Sequence, residues 1–501
     1  MSRRGIYTAG MTEILASRAV YGTAQIRQLE RHALEVLQLP VDALMKRAAQ
    51  AAWQRLRSEW PLARSLLVCC GPGNNGGDGC LLAALAKAAD WQVDVIALAP
   101  LTASHPGFEA LQKAGVQVQV HVPGQPLPQA DLQVDAIFGI GLNRAPEGLA
   151  ADLIQALNAG TVPVLALDCP SGLNADTGAA PGAVVRADAT ITFLAGKSGL
   201  VTGQARDWAG RLIIEPLGLE EAVTALSPVA TALPWPQLPP RPRAMHKGRN
   251  GHLLVVGGEH GTGGAVHLTA MAALRSGAGL VSVATRSEQV LAFNTRCPEV
   301  MALGVNGPPA LESMLEKVTG LAVGPGLGQG AWGHALWLTA LDSGKPMVLD
   351  ADGLNMLAQE SHALPGQLVL TPHPGEAARL LHTTVPDIEA DRYAAVRALA
   401  QRYRAVVVLK GAGSLIGDPD GRIVYCPWGN PGMAVGGMGD TLTGIIGALL
   451  VQGHHPWEAA GLGVALHALA GDRAARAGER GLLPTDLLPE LRALVNGQAH
   501  A

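Results

Sequence analysis

The chain has 501 residues, which is too long for one ordinary hydrophobic core and predicts two or three domains. Hydrophobic residues make up 48% and aromatic residues only 4%, so the cores must be built from Ala, Leu and Val; with 62 glycines, this favours an α/β architecture. The formal net charge is −4 and no basic block stands out, which argues against nucleic acid as the main partner.

The cysteines and the apolar runs bear on the cellular compartment. Six cysteines are scattered without a Cys-x-x-Cys pair, so the sequence suggests neither a zinc site nor a disulfide framework. Two arginines near the amino terminus have no apolar stretch behind them, and no run reaches the ~18 apolar residues that a membrane span needs. We therefore expect a cytoplasmic protein with reduced thiols and no signal peptide.

Strands and helices alternate in the first half. A helix is predicted at 24–39, where apolar residues recur at helical spacing. A glycine-rich loop at 71–79 is predicted to lead into a helix at 80–89, and a further helix follows at 149–159. Short apolar runs predict strands at 65–70, 93–98, 134–138, 162–167, 189–193 and 211–215. This alternation predicts a parallel, doubly wound sheet of the Rossmann-like kind.

A proline-rich segment at 227–243 divides the chain. Its six prolines argue against a helix or a central strand and predict a stiff, extended linker. The second half then repeats the α/β alternation, with a helix of small residues predicted at 263–276. Strands are predicted at 251–257, 280–285, 321–323, 347–350 and 405–409. We therefore expect a second α/β domain.

The loop at 71–79 reads Gly-Pro-Gly-Asn-Asn-Gly-Gly-Asp-Gly. A literal match to the dinucleotide fingerprint GxGxxG begins at Gly71. Asn74, Asn75 and Asp78 are too polar for the helix start of that fingerprint, and they fit a loop that handles ribose hydroxyls or a cation. A purely structural loop is the weaker alternative.

Two more polar stretches follow predicted strands. Residues 134–144 read Val-Asp-Ala-Ile-Phe-Gly-Ile-Gly-Leu-Asn-Arg, and residues 168–178 read Asp-Cys-Pro-Ser-Gly-Leu-Asn-Ala-Asp-Thr-Gly. Asp168 ends an apolar run, so it should lie at the carboxyl edge of a parallel sheet, where ligands bind. Oxygen atoms from three such loops can form a site for a hard monovalent cation. The alternative for Asp168 is a turn residue or N-cap before Pro170.

Residues 430–440, Asn-Pro-Gly-Met-Ala-Val-Gly-Gly-Met-Gly-Asp, are the most informative stretch. The glycines leave the backbone bare, so N–H groups can approach an anion closely. The apolar run 441–450 predicts a buried helix whose positive end would face a bound phosphate. Asp440 stands at the junction, where a carboxylate can accept a proton. The alternative is a glycine-rich loop with Asp440 as the N-cap.

Two further residues are candidates in the second half. Lys410 follows a predicted strand and can reach a phosphate as a point charge. His373 lies between two prolines that fix its backbone, which suits a positioned ligand contact, although a structural loop histidine is the alternative. Glu376 is expected to cap or orient this histidine.

The ordered motifs resemble a known family. The stretches at 73–79, 134–144 and 168–178 resemble NAD(P)H-hydrate epimerase domains. Those of the second half resemble NAD(P)H-hydrate dehydratase domains, at 246–248, 254–258, 263–265, 273–281, 324–328, 350–355, 371–376, 410–414 and 430–440. The domain order is that of fused, bifunctional repair proteins. One departure is Thr262, where an aromatic residue is common in the family.

The resemblance implies a fold and two activities. It implies a Rossmann-like epimerase domain at 1–226, the linker at 227–243 and a ribokinase-like, ADP-dependent dehydratase domain at 244–501. The implied substrates are NADH and NADPH that carry an added water on the nicotinamide ring, as S and R epimers. The first domain would interconvert the epimers with K⁺ bound. The second would dehydrate the S form, converting ADP to AMP and phosphate with Mg²⁺.

The resemblance also implies site residues. Asp168 and Asp440 are the implied catalytic acid/base residues of the two domains. The implied K⁺ ligands are Asn75, Asp135 and Ser171. The implied substrate contacts are Asn74, Asn75, Gly76, Gly77, Asp78, Gly139, Ile140, Gly141, Leu142, Asn143, Arg144 and Asp168 in the first domain, and Ala265, Gly326, His373 and Asp440 in the second. The implied ADP contacts are Lys410, Gly411, Ala412, Gly413, Ser414, Asn430, Pro431, Gly432, Met433, Ala434, Val435, Gly436, Gly437, Met438 and Gly439.

Three other functions compete with this interpretation. A small-molecule (vitamin) kinase of the ribokinase class would not need the first-half motifs. A nicotinamide-binding regulatory module would not need Asp168, Asp440 and Lys410 together, because pure binding demands no acid/base residues. A dehydrogenase rests only on the GxGxxG match. The expected partners are small molecules, without nucleic acid or membrane, and Ala/Gly-rich surfaces favour a homo-oligomer.

Overall fold

The computed structural model describes residues 19–142, 144–224 and 226–498. The chain divides into two compact units, Met1–Thr231 and Ala232–Ala501, and the division falls within the proline-rich segment 227–243. Each unit is built on a parallel sheet flanked by helices, so the predicted two-domain α/β class is confirmed. In the described part of the chain, no helix is long and apolar enough to span a bilayer.

The first unit contains a seven-stranded parallel sheet. The strands of this unit are β1 (Ala19–Tyr21), β2 (Ser65–Cys70), β3 (Gln92–Ala97), β4 (Val118–Val120), β5 (Leu132–Ala136), β6 (Val164–Leu167), β7 (Ala189–Phe193), β8 (Gly196–Lys197), β9 (Arg211–Glu215) and β10 (Ala230–Ala232) at its boundary. Its helices are α1 (Thr23–Glu35), α2 (Ala43–Glu59), α3 (Asn74–Ala88), α4 (Phe108–Lys113), α5 (Gly148–Ala159), α6 (Ala205–Trp208) and α7 (Glu220–Thr224). The sheet order is β4-β3-β2-β5-β6-β7-β9, while β1 pairs parallel to β8 and antiparallel to β10.

Strand β2 shows why helices cover both faces of this sheet. Its alternate residues Leu66 and Val68 pack with α2 and α3, whereas Leu67 and Cys69 pack with α5 on the other face. The strand order reverses between β2 and β5, because β3 and β4 continue on one side and β6 on the other. Such a reversal leaves a crevice at the carboxyl ends of the strands, where ligands bind in doubly wound folds.

Helix α3 begins earlier than predicted, at Asn74 instead of residue 80. The cause is close packing of its glycines. A Cβ added to Gly76 would lie 2.0 Å from the carbonyl oxygen of Gly71, and one added to Gly79 would lie 2.4 Å from the Cβ of Ala136. Glycine lowers helix propensity, but here it lets the first turn lie directly against the sheet, and tertiary packing decides the outcome.

The second unit repeats this arrangement. Its strands are β11 (His252–Val256), β12 (Leu280–Thr285), β13 (Met301–Gly304), β14 (Gly320–Val323), β15 (Met347–Leu349), β16 (Leu368–Leu370), β17 (Val406–Leu409), β18 (Leu415–Gly417) and β19 (Ile423–Tyr425). Its helices are α8 (Gly263–Arg275), α9 (Val290–Arg296), α10 (Pro308–Leu315), α11 (Ala331–Asp342), α12 (Asp352–Gln359), α13 (Pro374–Leu381), α14 (Val385–Ala390), α15 (Arg392–Tyr403), α16 (Met438–Val451), α17 (Pro456–Ala474) and α18 (Leu487–Val495). The order is β13-β12-β11-β14-β15-β16-β17-β18-β19, parallel up to β17 and antiparallel in the final hairpin.

Helix α16 is the central helix of this unit. All its residues from Thr441 to Val451 are buried, as the apolar run predicts. It packs against α8 and α17 over one face of the sheet, where Val348, Val369 and Val408 join the same core. This packing holds the amino end of α16 beside the carboxyl ends of β15 and β17.

Candidate active sites

Three of the predicted oxygen ligands converge at the crevice of the first sheet. Ser171 donates its hydroxyl to Oδ1 of Asp135 at 2.6 Å and its backbone N–H to Oδ2 at 2.7 Å. Asn75 donates from Nδ2 to the carbonyl oxygen of Phe138 at 2.9 Å. The hydroxyl oxygen of Ser171 also accepts the Phe138 N–H at 2.8 Å. The first turn of α3, the end of β5 and the loops after β5 and β6 are therefore joined by one polar cluster.

This cluster has acceptor capacity that the protein leaves unused. Oδ1 of Asn75 is buried without a hydrogen-bond partner in the described chain. Asp135 is fully buried, and its burial raises its pKa to about 6 even though the hydrogen bonds from Ser171 lower it. The described residues contain no group of three His, Cys, Asp or Glu side chains around a metal position, so a cation here would rest on amide, hydroxyl and carboxylate oxygens. That donor set fits a hard monovalent cation.

Asp168 lies directly after β6, as predicted, and is paired with a lysine that the sequence reasoning missed. Nζ of Lys197 donates to Oδ1 of Asp168 at 2.6 Å and to the carbonyl oxygen of Phe193 at 2.7 Å. The Lys197 side chain is 0% exposed and that of Asp168 is 15% exposed, so the ion pair is shielded from solvent. Asp168 has φ of +63°, a conformation that few residues other than glycine adopt and that often marks a functional site.

Two more carboxylates lie in the electrostatic field of this pair. The pKa of Asp78 is raised well above its ordinary value, mainly because the carboxyl is buried and also because Asp168 is negatively charged. The same two causes raise the pKa of Glu30 on α1. The amino end of α1 is anchored by Thr23, whose N–H and hydroxyl donate to the carboxylate of Asp176 at 2.6 and 2.8 Å. The first site is therefore acidic, with Lys197 as its buried cation.

The other predicted substrate contacts of this unit differ in position. Gly139 and Ile140 lie against Asp168: the Ile140 N–H donates to Oδ2 at 3.3 Å, and a Cβ on Gly139 would lie 3.0 Å from that atom. Leu142 closes the turn by donating its N–H to the Gly139 carbonyl. Arg144 is exposed. Asn143 lies outside the described residues.

In the second unit, Lys410 is paired with a carboxylate. Its Nζ lies 2.7 Å from Oδ1 of Asp350, which follows β15, and 3.8 Å from Oε2 of Glu376. Thr443 on α16 donates its hydroxyl to Oδ2 of Asp350 at 2.7 Å. Burial opposes ionisation of Asp350, but the Lys410 ammonium and these hydrogen bonds hold its pKa below its ordinary value. The expected phosphate-binding lysine is thus part of a buried charge network.

Asp440 lies in the first turn of α16, three residues after the N-cap Gly437. The alternative in which Asp440 is itself the N-cap is therefore wrong. Burial first, and the charge of Asp350 second, raise the pKa of Asp440 to about 7, although Lys410 lowers it. A carboxylate with this pKa changes protonation at neutral pH, as a general base requires.

The glycines of the segment 430–439 have different structural roles. A Cβ on Gly432 would lie 2.4 Å from the Glu479 carbonyl oxygen, so this position needs glycine for packing. Gly437 has φ of +95°, which favours glycine. A Cβ on Gly439 would lie 3.3 Å from Nζ of Lys410, whereas one on Gly436 would meet nothing within 4 Å. Of these four glycines, only Gly436 therefore has the open backbone that the sequence predicts for close approach of an anion.

Further predicted nucleotide contacts lie in the 430–439 segment or in the 410–414 loop. Asn430 accepts the Gly432 N–H at 3.0 Å and donates to Asp472 at 2.9 Å. The side chain of Met438 is buried, so in its present position it can offer a ligand mainly backbone. In the 410–414 loop, the Ser414 hydroxyl donates to the Gly411 carbonyl at 2.9 Å.

His373 and Glu376 form the cap of α13. Nδ1 of His373 accepts the N–H groups of Gly375 at 2.9 Å and Glu376 at 3.3 Å, and Glu376 accepts the His373 N–H at 2.8 Å. The expected capping by Glu376 is confirmed. Burial and the charge of Lys410 lower the pKa of His373. Its Nε2 lies 3.4 Å from Oε1 of Glu376. Burial raises the pKa of Glu376 to about 7.

Ala265 and Gly326 belong to one edge of the same site. The Thr269 hydroxyl lies 3.0 Å from the Ala265 carbonyl oxygen and 3.1 Å from that of Asp440. Thr262 donates its hydroxyl to the Gly326 carbonyl at 2.8 Å. This hydrogen bond joins the residue before α8 to the loop that follows β14.

Comparison with known proteins identifies the family. The model "NAD(P)H-hydrate dehydratase" matches residues 253–492, and "YjeF-related protein N-terminus" matches residues 41–199. The bifunctional NAD(P)H-hydrate repair enzyme of Coxiella burnetii is 45% identical over 488 residues, covering 95% of this chain and 99% of the relative. That of Escherichia coli is 44% identical over 500 residues, covering 98% and 96%. The chain belongs to the bifunctional NAD(P)H-hydrate repair enzymes.

A solved structure is also similar to about half of this chain. The ADP/ATP-dependent NAD(P)H-hydrate dehydratase from Bacillus subtilis, co-crystallised with ATP and Mg²⁺, is 30% identical. It covers 52% of this chain and 94% of its own, with a TM-score of 0.49. The match to the dehydratase family model spans Asp350, Glu376, Lys410 and Asp440.

Asp350 and Lys197 were not predicted as residues of the candidate sites, although the sequence contains a signal for each. Asp350 follows the apolar run 347–349 in the way that Asp168 follows 164–167, so the strand-end rule applies to both. Lys197 is a lone charge in the stretch Phe-Leu-Ala-Gly-Lys-Ser-Gly-Leu, and a charge inside an apolar stretch needs a buried partner. The partner itself is 29 residues away and is evident only in the fold.

Proposed function

We propose that this chain repairs hydrated NADH and NADPH: its first unit epimerises the R and S hydrates, and its second dehydrates the S form with ADP. The observation that carries the proposal is the position of Asp440 in the first turn of α16, beside the Lys410–Asp350 ion pair. Burial and the charge of Asp350 raise the pKa of Asp440 to about 7 there. In the first unit, the ion pair of Asp168 with the buried Lys197 supports the epimerase activity.

In the first site, Asp168 is the proposed acid/base residue. Epimerisation at the ring carbon that bears oxygen and nitrogen requires ring opening or loss of the hydroxyl, and both need proton transfer. On ring opening, Asp168 takes the hydroxyl proton as the C–N bond breaks and then gives that proton to the ring nitrogen. Reclosure on the other face of the carbonyl reverses both transfers. Lys197 and the Ile140 N–H hold this carboxylate in place.

K⁺ is the proposed cation of the first site, held by Asn75, Asp135 and Ser171. The unpaired Oδ1 of Asn75 and the buried carboxylate of Asp135 support this assignment. Bound there, K⁺ would supply positive charge that orders the loops around the substrate. Asp135 and Ser171 tie those loops together in the protein itself.

In the second site, Asp440 is the proposed general base. It takes the proton of the ring hydroxyl as the oxygen attacks the terminal phosphorus of ADP, and AMP leaves. The lone pair of the ring nitrogen then expels phosphate, and loss of a ring proton restores the reduced nicotinamide. Lys410, the 410–414 loop and the 430–439 segment are the proposed ADP contacts, and Ala265, Gly326 and His373 are the proposed substrate contacts. Mg²⁺ bound with ADP would neutralise phosphate charge.

The cysteines and the composition support the proposed cellular setting and assembly. The six cysteines are all free and buried, which supports a reducing compartment such as the cytoplasm. A homo-oligomer remains our proposal from the Ala/Gly-rich composition. The proposed partners are the hydrated cofactor and ADP.

Single-site variants test the division of labour. We expect Asp440→Asn to lower ADP-dependent dehydration of the S hydrate at least about 100-fold, because it removes a general base, while epimerisation continues. We expect Asp168→Asn to have the reverse effect. The readouts are the near-ultraviolet absorbance of reduced nicotinamide and chromatographic separation of the epimers. The control is Asp420→Asn, an exposed turn residue, which should alter neither activity. Wild-type dehydration by Asp440→Asn with intact ADP binding would refute the base assignment.

A further inference from the structure

A cavity of about 380 Å³ opens at the carboxyl ends of β2 and β3, beside the first site. It is formed by the ends of these strands, the start of the 71–79 segment and the loop that follows β3. Its walls include Cys70, Pro72, Leu98, Leu101, His105 and Phe138. None of the predicted substrate contacts of the first unit lines it.

The cavity lies next to the first site and shares backbone segments with it. Phe138 lines it, and the Phe138 carbonyl oxygen accepts the Asn75 amide of the polar cluster at 2.9 Å. Gly71 and Pro72 line it and lead directly into α3, which carries Asn75 and Asp78. In the order β3-β2-β5-β6, the cavity lies about two and a half strand spacings, roughly 12 Å, from the end of β6 and Asp168.

The walls suit a flat, uncharged ring system. Pro72, Leu98 and Leu101 are apolar, and His105 is already engaged. Nδ1 of His105 accepts the Gly107 N–H at 3.3 Å, so Nε2–H donates to the Gly71 carbonyl at 3.0 Å. Thr102 and Ser104 bring hydroxyl groups to the rim, hydrogen-bonded to each other at 2.8 Å. Among the described residues that line the cavity, none is a lysine or an arginine.

We propose that this cavity binds the adenosine half of the hydrated dinucleotide during epimerisation, an inference that rests on the proposed function of the first unit. The purine lies between the apolar walls, and the rim hydroxyls of Thr102 and Ser104 meet the ribose. Because the described lining offers no cation to a 2′-phosphate, the epimerase reaction does not favour the NADPH hydrate over the NADH hydrate.

A cavity-filling variant and a truncated substrate test this assignment. Ala99→Trp places an indole at an exposed position of the rim. We expect it to lower kcat/KM for epimerisation of hydrated NADH at least tenfold, with no change for hydrated reduced nicotinamide mononucleotide, which lacks adenosine. Wild-type protein should process the dinucleotide hydrate more efficiently than the mononucleotide hydrate. Ala159→Trp, an exposed alanine at the carboxyl end of α5, is the matched control and should change neither substrate.

The outcomes separate this inference from the function on which it rests. Wild-type epimerisation together with an unchanged kcat/KM of Ala99→Trp for hydrated NADH would overturn the subsite, as would equal losses for both substrates. A wild-type protein that epimerises neither hydrate would overturn the proposed function itself. A gain-of-function variant adds a second test: Thr102→Arg should raise kcat/KM for the NADPH hydrate relative to the NADH hydrate at least fivefold, and an unchanged ratio counts against the subsite.

Discussion

The two proposed acid/base residues differ in their nearest charged partner. Asp168 has a fully buried ammonium at 2.6 Å as its direct partner. Asp440 has no direct ion pair among the described residues; it feels Lys410 and Asp350 at longer range, and burial raises its pKa to about 7. Lys197 therefore fixes the position of the Asp168 carboxylate, whereas Asp440 can exchange a proton near neutral pH.

Removal of the Lys197 ammonium is predicted to damage the first site in two ways. Lys197→Met retains the side-chain length but leaves Asp168 without its cation, which typically costs about 3–5 kcal/mol of folding free energy for a buried pair. We expect R-hydrate epimerisation to fall at least tenfold while S-hydrate dehydration stays normal. The double variant Lys197→Met, Asp168→Asn should recover stability, measured by denaturant unfolding, without recovering epimerisation. Full epimerisation by Lys197→Met would show that the lysine has no part in positioning Asp168.

The raised pKa of Asp440 predicts the pH dependence of dehydration. The base form of Asp440 fills as pH rises through about 7, so kcat should increase up to that pH and then level off. The effect on stability has the opposite sign, because the folded state favours the protonated carboxyl of Asp440. The contribution of this carboxyl to the free energy of unfolding is therefore full below its ordinary pKa of 3.8 and is lost as pH rises towards 7. Stopped assays between pH 5.5 and about pH 8.5 measure the first effect. A kcat independent of pH in this range contradicts the assignment.

At the scale of elements, the start of α16 is fixed by the helices and the loop that surround it. Gly437 caps the helix with φ of +95°, and a Cβ there would lie 2.5 Å from Cδ1 of Leu268 on α8. One residue earlier, Gly436 meets nothing within 4 Å. Gly437 thus provides the backbone conformation that starts the helix, and Gly436 leaves space for a ligand to approach the backbone.

A pair of alanine variants distinguishes these two needs. Gly437→Ala should destabilise the second unit by about 1–3 kcal/mol, because alanine is strained at positive φ. Gly436→Ala should leave the free energy of unfolding unchanged and weaken ADP binding, since its methyl group enters the space proposed for phosphate. Denaturant unfolding and calorimetric ADP titration measure the two effects. Equal stability losses in both variants would contradict this division.

How far the sequence predicts the elements depends on whether the signal is local. The apolar run 164–167 placed Asp168 correctly, since a strand of a parallel sheet delivers its next residue to the carboxyl edge. The start of α3 at Asn74 was not predictable in this way, because glycine opposes helix locally and only packing against Gly71 and Ala136 favours it. Strand β16 was missed because it has three residues and is followed closely by prolines.

At the scale of the whole molecule, the chain carries two complete α/β units, each with its own sheet reversal and its own acidic site. The length of the chain and the proline-rich segment predict two domains, and the boundary between the two units falls within that segment. Identification of the reaction required the ordered motifs, because an α/β fold alone is compatible with many activities. Contacts such as Lys197–Asp168 and Lys410–Asp350 join residues 29 and 60 positions apart and follow only from the fold.

The most direct test of the central claim uses purified protein, a mixture of S- and R-hydrated NADH, ADP and Mg²⁺. The recovery of near-ultraviolet absorbance is followed together with the release of AMP and phosphate. The account predicts ADP-dependent recovery of both epimers, faster than their spontaneous interconversion, with one AMP and one phosphate per NADH. Recovery of the S form alone would contradict the proposed epimerase activity, and no recovery with either ADP or ATP would contradict the repair function as a whole.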